Sequence, residues 1–192
     1  ITGSADHEYV GRSIDGGGDL TGDEQPDVLV GCMGWNDQAG RVCQLDGASL
    51  DSGPIASVAS ACVAAVGAAS NLGMDVAIVG DVDGDGVDDA LLGAWTADGA
   101  GDNRGEAYLL LGGVRGGTVA SANHTWLGHN DGMSLGRAVA PAGDVDGDGL
   151  DDLLIGAHGT FGTGDSHGHS YLILASDLGA PGTKDITVAT HT

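Results

Sequence analysis

The stretch Asp81-Val-Asp83-Gly-Asp85-Gly-Val-Asp-Asp89 returns almost unchanged as Asp144-Val-Asp146-Gly-Asp148-Gly-Leu-Asp-Asp152. A more divergent copy reads Asp19-Leu-Thr21-Gly-Asp23-Glu-Gln25-Pro-Asp27. The first aspartates of these three acidic loops (19–27, 81–89 and 144–152) lie 62 and 63 residues apart along the chain. This regular spacing predicts a chain built from three repeats of about 63 residues.

The residue types in the acidic loops predict a bound cation. Alternating aspartates around a glycine turn gather oxygen ligands about one hard ion, and calcium suits that arrangement best. Two carboxylates about 4 Å apart repel by about 4 kcal/mol at an effective dielectric constant of about 20. Loops 81–89 and 144–152 each bring four such carboxylates together, so we expect calcium to have a structural role coupled to local folding.

The composition narrows the class of partner. The net charge is −22, with only 6 Lys+Arg, so electrostatic repulsion argues against nucleic acid and anionic membrane surfaces as partners. No apolar run approaches about 18 residues, so the sequence predicts no membrane insertion. Apolar residues make up 41% of the chain but aromatic residues only 4%, which predicts a core of Val, Leu, Ile and Ala.

Short apolar runs follow each acidic loop and predict strands. The first runs end in glycine, at 28–31, 90–93 and 153–156, and the second runs open with glycine, at 40–45, 105–111 and 168–174. Runs of this length bounded by glycine are typical of buried strands. A weaker fourth stretch is predicted at 117–120 and 185–189, and the alanine-rich segment 55–70 is interpreted as strand-turn-strand. Four strands in each repeat are the signature of a propeller blade.

The repeat predicts one domain over residues 1–192, divided into units 1–54, 55–117 and 118–192. Gly3 lies eight residues before Gly11, as Gly128 lies eight before Gly136, so the end of the chain leads into its beginning almost in repeat phase. Two explanations stay open. The chain is a three-repeat piece of a longer array, or copies associate head to tail through strand complementation.

Three motifs together resemble a known family. They are the glycine eight residues before each loop (Val10-Gly11, Leu72-Gly73 and Leu135-Gly136), the acidic loop itself, and the exit Leu91-Leu-Gly-Ala94. This combination resembles the FG-GAP repeats of integrin alpha-subunit β-propellers and their bacterial relatives. The resemblance implies an all-β fold of calcium-binding blades, each with four antiparallel strands.

The resemblance also implies the calcium ligands, with side chains at loop positions 1, 3, 5 and 9 and a backbone carbonyl at position 7. Carried over, these are Asp81, Asp83, Asp85, Val87 and Asp89, then Asp144, Asp146, Asp148, Leu150 and Asp152, and finally Asp19, Thr21, Asp23, Gln25 and Asp27. In the last set Thr21 replaces an aspartate and Glu24 replaces the turn glycine. We therefore expect two strong calcium sites and one weaker site.

Three other interpretations of the acidic loops have different requirements. An EF-hand needs a bidentate glutamate at position 12, where this chain has Leu92 or Ile155. Dockerin-type loops also need an acidic residue at that position. Acidic turns that bind no ion are the remaining structural alternative.

The three cysteines, Cys32, Cys43 and Cys62, match no zinc spacing. Cys32 and Cys43 flank a short loop between two predicted strands, which predicts a disulfide across that hairpin and leaves Cys62 over. Buried free thiols are the alternative. A disulfide and a calcium site both favour an extracellular location.

The function expected from these features is an extracellular calcium-binding module for adhesion, protein or glycan binding, or surface assembly. Loops 94–104 and 157–167 are the predicted contact surfaces, because rigid scaffolds present function on variable loops. A structural subunit of an extracellular polymer is one alternative, and a propeller domain of a secreted polysaccharide- or lipid-degrading enzyme is another. The sequence shows no clustered acids and bases that would favour catalysis, so no enzyme activity is expected.

Overall fold

The computed structural model of the chain describes residues 1–97, 102–159 and 167–186. Sheet 1 is antiparallel and contains β1 (Val10–Gly16), β2 (Val28–Cys32), β3 (Arg41–Leu45) and β4 (Ala61–Ala64). Sheet 2 contains the antiparallel strands β5 (Asp75–Ile78), β6 (Ala90–Ala94), β7 (Glu106–Leu110) and β8 (His124–Leu127). Sheet 3 contains β9 (Leu135–Gly143), β10 (Asp152–Ala157) and β11 (His169–Ile173). A last strand, β12 (Gly182–Asp185), returns to sheet 2 and pairs parallel with β8.

Helical structure in the described residues is limited to short turns. Two are four residues long, α1 (Trp35–Gln38) and α2 (Ile55–Val58), and three are 3-10 turns at Gly47–Ser49, Val119–Ser121 and Ala175–Asp177. Within α1, Asn36 and Asp37 have left-handed φ values of 50° and 55°, so α1 is an irregular turn. The prediction of an all-β chain is therefore confirmed. None of the described helices has the length and apolar character needed to cross a membrane.

The strands that follow the acidic loops lie where the sequence predicts them, but the fourth strands do not. Residues Val119–Ser121 form a 3-10 turn in place of the strand predicted at 117–120, and the fourth strand is β8 instead. The alanine-rich segment 55–70 contains α2 and one strand, β4, so the strand-turn-strand interpretation is wrong. In both places a short helical turn buries one apolar side chain, Val119 or Ile55. The stretch predicted at 185–189 meets β12 only at Asp185, and residues 187–189 lie outside the described part.

Sheet 2 lies between the other two sheets and is buried on both faces. Leu91 belongs to one apolar cluster with Leu135 and Leu153 of sheet 3, whereas Leu92 belongs to a second cluster with Leu29 of sheet 1. Side chains of successive residues in a strand point to opposite faces. A strand covered on both sides therefore needs the continuous apolar run that β6 has.

Glycines at the ends of these runs let the sheets approach closely. A Cβ atom on Gly93 would lie 2.0 Å from the carbonyl oxygen of Gly136 in sheet 3, and a Cβ atom on Gly31 would lie 2.3 Å from that of Gly73 in sheet 2. Both distances are far inside van der Waals contact. The glycines that close the first two apolar runs, Gly31 and Gly93, are thus required by the neighbouring backbone.

The disulfide joins Cys43 to Cys62, and Cys32 is a buried free cysteine, so the predicted Cys32–Cys43 pair is wrong. The strand register gives the reason. Cys43 lies directly opposite Cys62 in the β3–β4 pair, whereas in the β2–β3 pair Cys43 faces Val30 and Cys32 faces Arg41. Burial raises the pKa of the Cys32 thiol to about 11, which keeps this cysteine protonated and unreactive.

The close approach of sheets 2 and 3 predicts that alanine substitution lowers stability at one of two equivalent glycines and has little effect at the other. Gly93→Ala should lower the free energy of unfolding by about 1–3 kcal/mol, because an added methyl group would overpack the contact. Gly156→Ala is the matched control, since its Cβ atom would meet only Ala138, at 3.3 Å. Urea unfolding monitored by circular dichroism measures both changes. Equal destabilisation by the two variants would contradict the proposed contact.

The disulfide predicts one free thiol per chain when the unreduced protein is denatured and titrated with a thiol reagent. Peptide mapping should recover Cys43 and Cys62 in one cross-linked product. Replacing both by serine should lower stability by about 3 kcal/mol, the expected effect of closing a loop of this length. Cys32→Ala is the control that keeps the cross-link, and a titration of three thiols would refute the assignment.

Candidate metal sites in the acidic loops

The three acidic loops lie at the same end of their sheets. Each is the hairpin that joins the first strand of a sheet to the second: β1 to β2, β5 to β6, and β9 to β10. Loop 19–27 contacts loop 81–89, and loop 81–89 contacts loop 144–152. Stacking of the sheets therefore places the acidic loops side by side.

The ninth residue of each loop is a completely buried aspartate that holds the hairpin in place. Asp89 accepts hydrogen bonds from the backbone N–H groups of Val82, at 2.9 Å, and Gly112, at 2.7 Å. Gly112 follows the third strand of the sheet, so one carboxylate joins the loop to the turn beyond β7. The same pair of contacts is made by Asp27 with Leu20 and Gly47, and by Asp152 with Val145 and Ala175.

The first residue of each loop organises the hairpin from inside. The Asp81 carboxylate accepts hydrogen bonds from the backbone N–H groups of Gly84, Asp85 and Gly86 at 2.7, 3.1 and 2.9 Å. Asp144 makes the equivalent three bonds, to Gly147, Asp148 and Gly149, at 2.7, 3.0 and 3.0 Å. The two intact loops thus have the same internal geometry.

Two groups of carboxylates are close enough to share one ion. Oxygen atoms of Asp81, Asp83 and Asp89 lie within 4.8 Å of one another, as do oxygen atoms of Asp144, Asp146 and Asp152. Burial raises the pKa of Asp89 to about 7, and the nearby charges of Asp83 and Asp81 add to the effect. A cation between these carboxylates would offset both the loss of hydration and the mutual repulsion of the charges. Each cluster could therefore hold a metal ion. The donors are all oxygen atoms, which hard cations prefer.

The remaining predicted ligands are placed differently. Asp85 and Asp148 lie outside the two clusters, and each accepts a hydrogen bond from the backbone two residues on, Val87 or Leu150, at 2.9 Å. Whether these four residues coordinate an ion stays a prediction.

Loop 19–27 forms no cluster of three acidic, histidine or cysteine ligands within the described residues. Its predicted ligands instead bond one another. Thr21 donates its hydroxyl to Asp19 at 3.3 Å, and the backbone N–H of Gln25 donates to Asp23 at 2.9 Å. Desolvation acts to raise the pKa of Asp19, but hydrogen bonds from the backbone at Glu24, Gly22, Asp23 and Thr21 outweigh it and lower the pKa. Asp19 thus organises its loop as Asp81 and Asp144 do, and loop 19–27 differs in having no cluster of three such ligands within the described residues.

Sequence reasoning missed two residues that connect the loops, Asp88 and Asp151 at the eighth positions of the intact loops. Asp88 accepts a hydrogen bond from the backbone N–H of Asp19, at 2.7 Å, and Asp151 accepts one from that of Asp81, at 3.2 Å. The signal for them is the doublet Asp88-Asp89 and Asp151-Asp152, which loop 19–27 lacks because Pro26 takes the eighth position.

The two predicted contact surfaces, 94–104 and 157–167, include residues 98–101 and 160–166, which lie outside the described part. In the described part of these surfaces, the Arg137 guanidinium lies over the Trp95 ring, 4.4 Å from the ring centroid. His158 meets the same ring edge-on at 6.4 Å. Trp95, which follows β6 of sheet 2, thus contacts Arg137 of sheet 3 and His158, which follows β10.

Comparison with known proteins identifies one segment. Residues 135–170 match the FG-GAP repeat family, and this segment covers β9, loop 144–152, β10 and the start of β11. The resemblance predicted from the sequence is therefore confirmed for the third unit. No curated protein sequence matches the chain.

The buried ninth aspartate predicts a stability effect that does not require metal. Asp89→Ala should lower the free energy of unfolding by about 2–4 kcal/mol even in chelator, because two backbone N–H groups lose their charged acceptor. Asp85→Ala is the matched control, since Asp85 is exposed and should cost little under the same conditions. Denaturant unfolding in excess chelator gives both values, and equal effects would show that Asp89 is not structurally special.

Proposed function

We propose that this chain is an extracellular β-propeller-type module whose acidic loops are closed by calcium. The single observation that carries the proposal is the pair of carboxylate clusters at 81–89 and 144–152, with the same geometry in both. One of them lies within the segment that matches the FG-GAP family. Loop 19–27 is the weaker third site in this proposal.

The donor set supports calcium over other metals. The clusters contain no histidine or cysteine, so soft or imidazole-preferring metals gain nothing there. Calcium accepts six to eight oxygen ligands in flexible geometry, which suits exposed loops where water completes the shell. Bound calcium would offset two of the three negative charges at the first, third and ninth positions.

The calcium in this proposal stabilises the fold. The first and ninth aspartates already tie the hairpin together through backbone hydrogen bonds, and an ion would attach the third aspartate to them. Ligand binding to the folded state alone adds stability of about 2.7 kcal/mol per site at about 100 times the dissociation constant. Two such sites would make the stability of the module depend on the external calcium concentration.

The extracellular location is supported by the Cys43–Cys62 disulfide, since such bonds persist in oxidising compartments. The FG-GAP match and the acidic composition agree with that location. A binding or assembly role, rather than catalysis, is supported by the state of the clusters. The carboxylates of Asp81, Asp83 and Asp89 all accept hydrogen bonds from their own loop, which suits a structural ion.

Two outer faces support self-association or continuation of the array as a second part of the proposal. At one repeat position Ile14 is 69% exposed, whereas Val76 and Val139 are 5% and 6% exposed. At another, Leu154 is 38% exposed, whereas the equivalent leucines of sheets 1 and 2 are fully buried. Within the described residues, apolar side chains that a neighbouring sheet covers inside the chain are thus exposed at Ile14 on sheet 1 and at Leu154 on sheet 3. Part of the outer face of sheet 1 is covered locally, because Val30, Cys32 and Leu45 are buried in a cluster with Ile55.

The partner proposed for these exposed side chains is another sheet of the same construction, from a second copy or from further repeats of a longer chain. Parallel pairing at the outer edges supports this. Thr2 bridges Pro54 in the same way that Ala64 bridges Thr118, and both Thr2 and Ala64 lie nine residues before an equivalent glycine. Thr2 therefore has the position that Ala64 has in the fourth strand of sheet 1.

Native mass spectrometry with and without a calcium chelator tests the proposed function. We expect two or three calcium ions per chain and a lower thermal unfolding midpoint after chelation. The double variant Asp83→Asn, Asp146→Asn should lose the two strong sites, whereas the control Asp51→Asn, an exposed aspartate outside the loops, should retain them. Absence of bound calcium at millimolar supply would rule out the proposal, and a discrete dimer or larger species would support the second-copy partner.

A further inference from the structure

The acidic loops are connected to one another in series by a repeated contact. The backbone N–H of Asp19 donates to the Asp88 carboxylate at 2.7 Å, and the backbone N–H of Asp88 donates to the carbonyl oxygen of Asp19 at 2.9 Å. Asp81 and Asp151 make the same reciprocal pair, at 3.2 Å in both directions. We call this pair the inter-loop contact. In each case the eighth residue of one loop holds the first residue of the preceding loop.

A second contact joins the seventh residue of one loop to the fourth residue of the preceding loop. A Cβ atom on Gly84 would lie 3.2 Å from the Leu150 side chain, and one on Gly22 would lie 3.2 Å from that of Val87. The apolar residue at position 7 thus packs over the glycine of the preceding loop. Each loop is held by the next loop at its first residue and at its turn.

The glycines before Asp19 and Asp81 leave room for the carboxylate of the next loop. A Cβ atom on Gly80 would lie 2.0 Å from Asp151 Oδ2, and one on Gly18 would lie 2.5 Å from Asp88 Oδ2. A side chain at either glycine would expel the neighbouring carboxylate. At the equivalent Gly143 a Cβ atom would meet nothing within 4 Å among the described residues.

The row of three acidic loops therefore has different contacts at its two ends. Asp81 is half-buried under the next loop, whereas Asp144 is exposed, with no carboxylate from another loop on its N–H within the described part of the chain. At the opposite end Pro26 occupies the eighth position of loop 19–27 and offers neither a carboxylate nor an N–H group. Loops 81–89 and 144–152 thus have the same proposed ligands, but only the first residue of loop 81–89 is held by the inter-loop contact within the described part of the chain.

We propose that Asp88 and Asp151 are positioning residues that make calcium binding in one acidic loop depend on the next loop along the chain. The inference rests on the proposed calcium function. Because the inter-loop contact fixes the backbone of Asp81 in advance, loop 81–89 loses less conformational freedom on binding and binds calcium more tightly than loop 144–152. Thermodynamic reciprocity requires that any strengthening of binding in loop 81–89 by calcium in loop 144–152 is matched by an equal strengthening in the opposite direction.

Amide NMR spectra during a calcium titration resolve the loops, with Gly84 and Gly86 reporting on one and Gly147 and Gly149 on the other. Loop 81–89 should saturate at about tenfold lower free calcium, the effect of one charge-assisted hydrogen bond. Asp151→Ala should remove that difference. Asp151→Asn is the control that has the same charge as Asp151→Ala but keeps an oxygen acceptor, so it should retain part of the difference.

Asp88→Ala distinguishes the inter-loop contact from local damage. Asp88 lies in loop 81–89, so a merely local role would weaken that loop, whereas the inter-loop contact predicts weaker binding in loop 19–27. The amides of Gly22 and Gly86 report the two results, and well-dispersed spectra verify folding. Equal calcium midpoints for the two intact loops in the unmodified protein, or an unchanged difference in Asp151→Ala, would overturn the inference. Absence of calcium binding in every loop would instead refute the proposed function itself.

Discussion

The buried carboxylate at the ninth position of each acidic loop is the constraint on which the rest of the structure depends. Asp89 joins the start of its own loop to the turn beyond the third strand, so a single side chain fixes three strands relative to one another. A charge in that position is costly unless it is compensated. Backbone N–H groups supply part of that compensation, and the neighbouring carboxylates explain why a cation would supply the rest.

Sheet stacking converts this local arrangement into a row of loops. Sheet 2 is covered on both faces, and Gly31 and Gly93 allow the neighbouring backbones to approach where any side chain would collide. Because the same glycine recurs after each acidic loop, successive sheets stack with the same offset. The loops therefore meet through equivalent residues, and the contact between Asp81 and Asp151 is a consequence of the packing as much as of the loop sequence.

The sequence predicts what depends on neighbours along the chain and fails where distant strands decide. Apolar runs between glycines locate β2, β6 and β10, because the runs and their glycine boundaries are local features of the sequence. The fourth strands are misplaced, since the turn that buries Val119 has the same composition as a weak strand. Cysteine pairing fails for a related reason. The partner of Cys43 is set by the register of β3 against β4, which no local pattern encodes.

The acidic loops show the same limit at the level of a single site. Loops 81–89 and 144–152 differ only in valine against leucine at position 7, and their internal hydrogen bonds are the same within 0.1 Å. Motif reasoning therefore assigns them the same chemistry. Their surroundings differ, because Asp81 is covered by the next loop and Asp144 is exposed. In a repeat protein the properties of a site thus depend on the neighbouring unit as well as on its own residues.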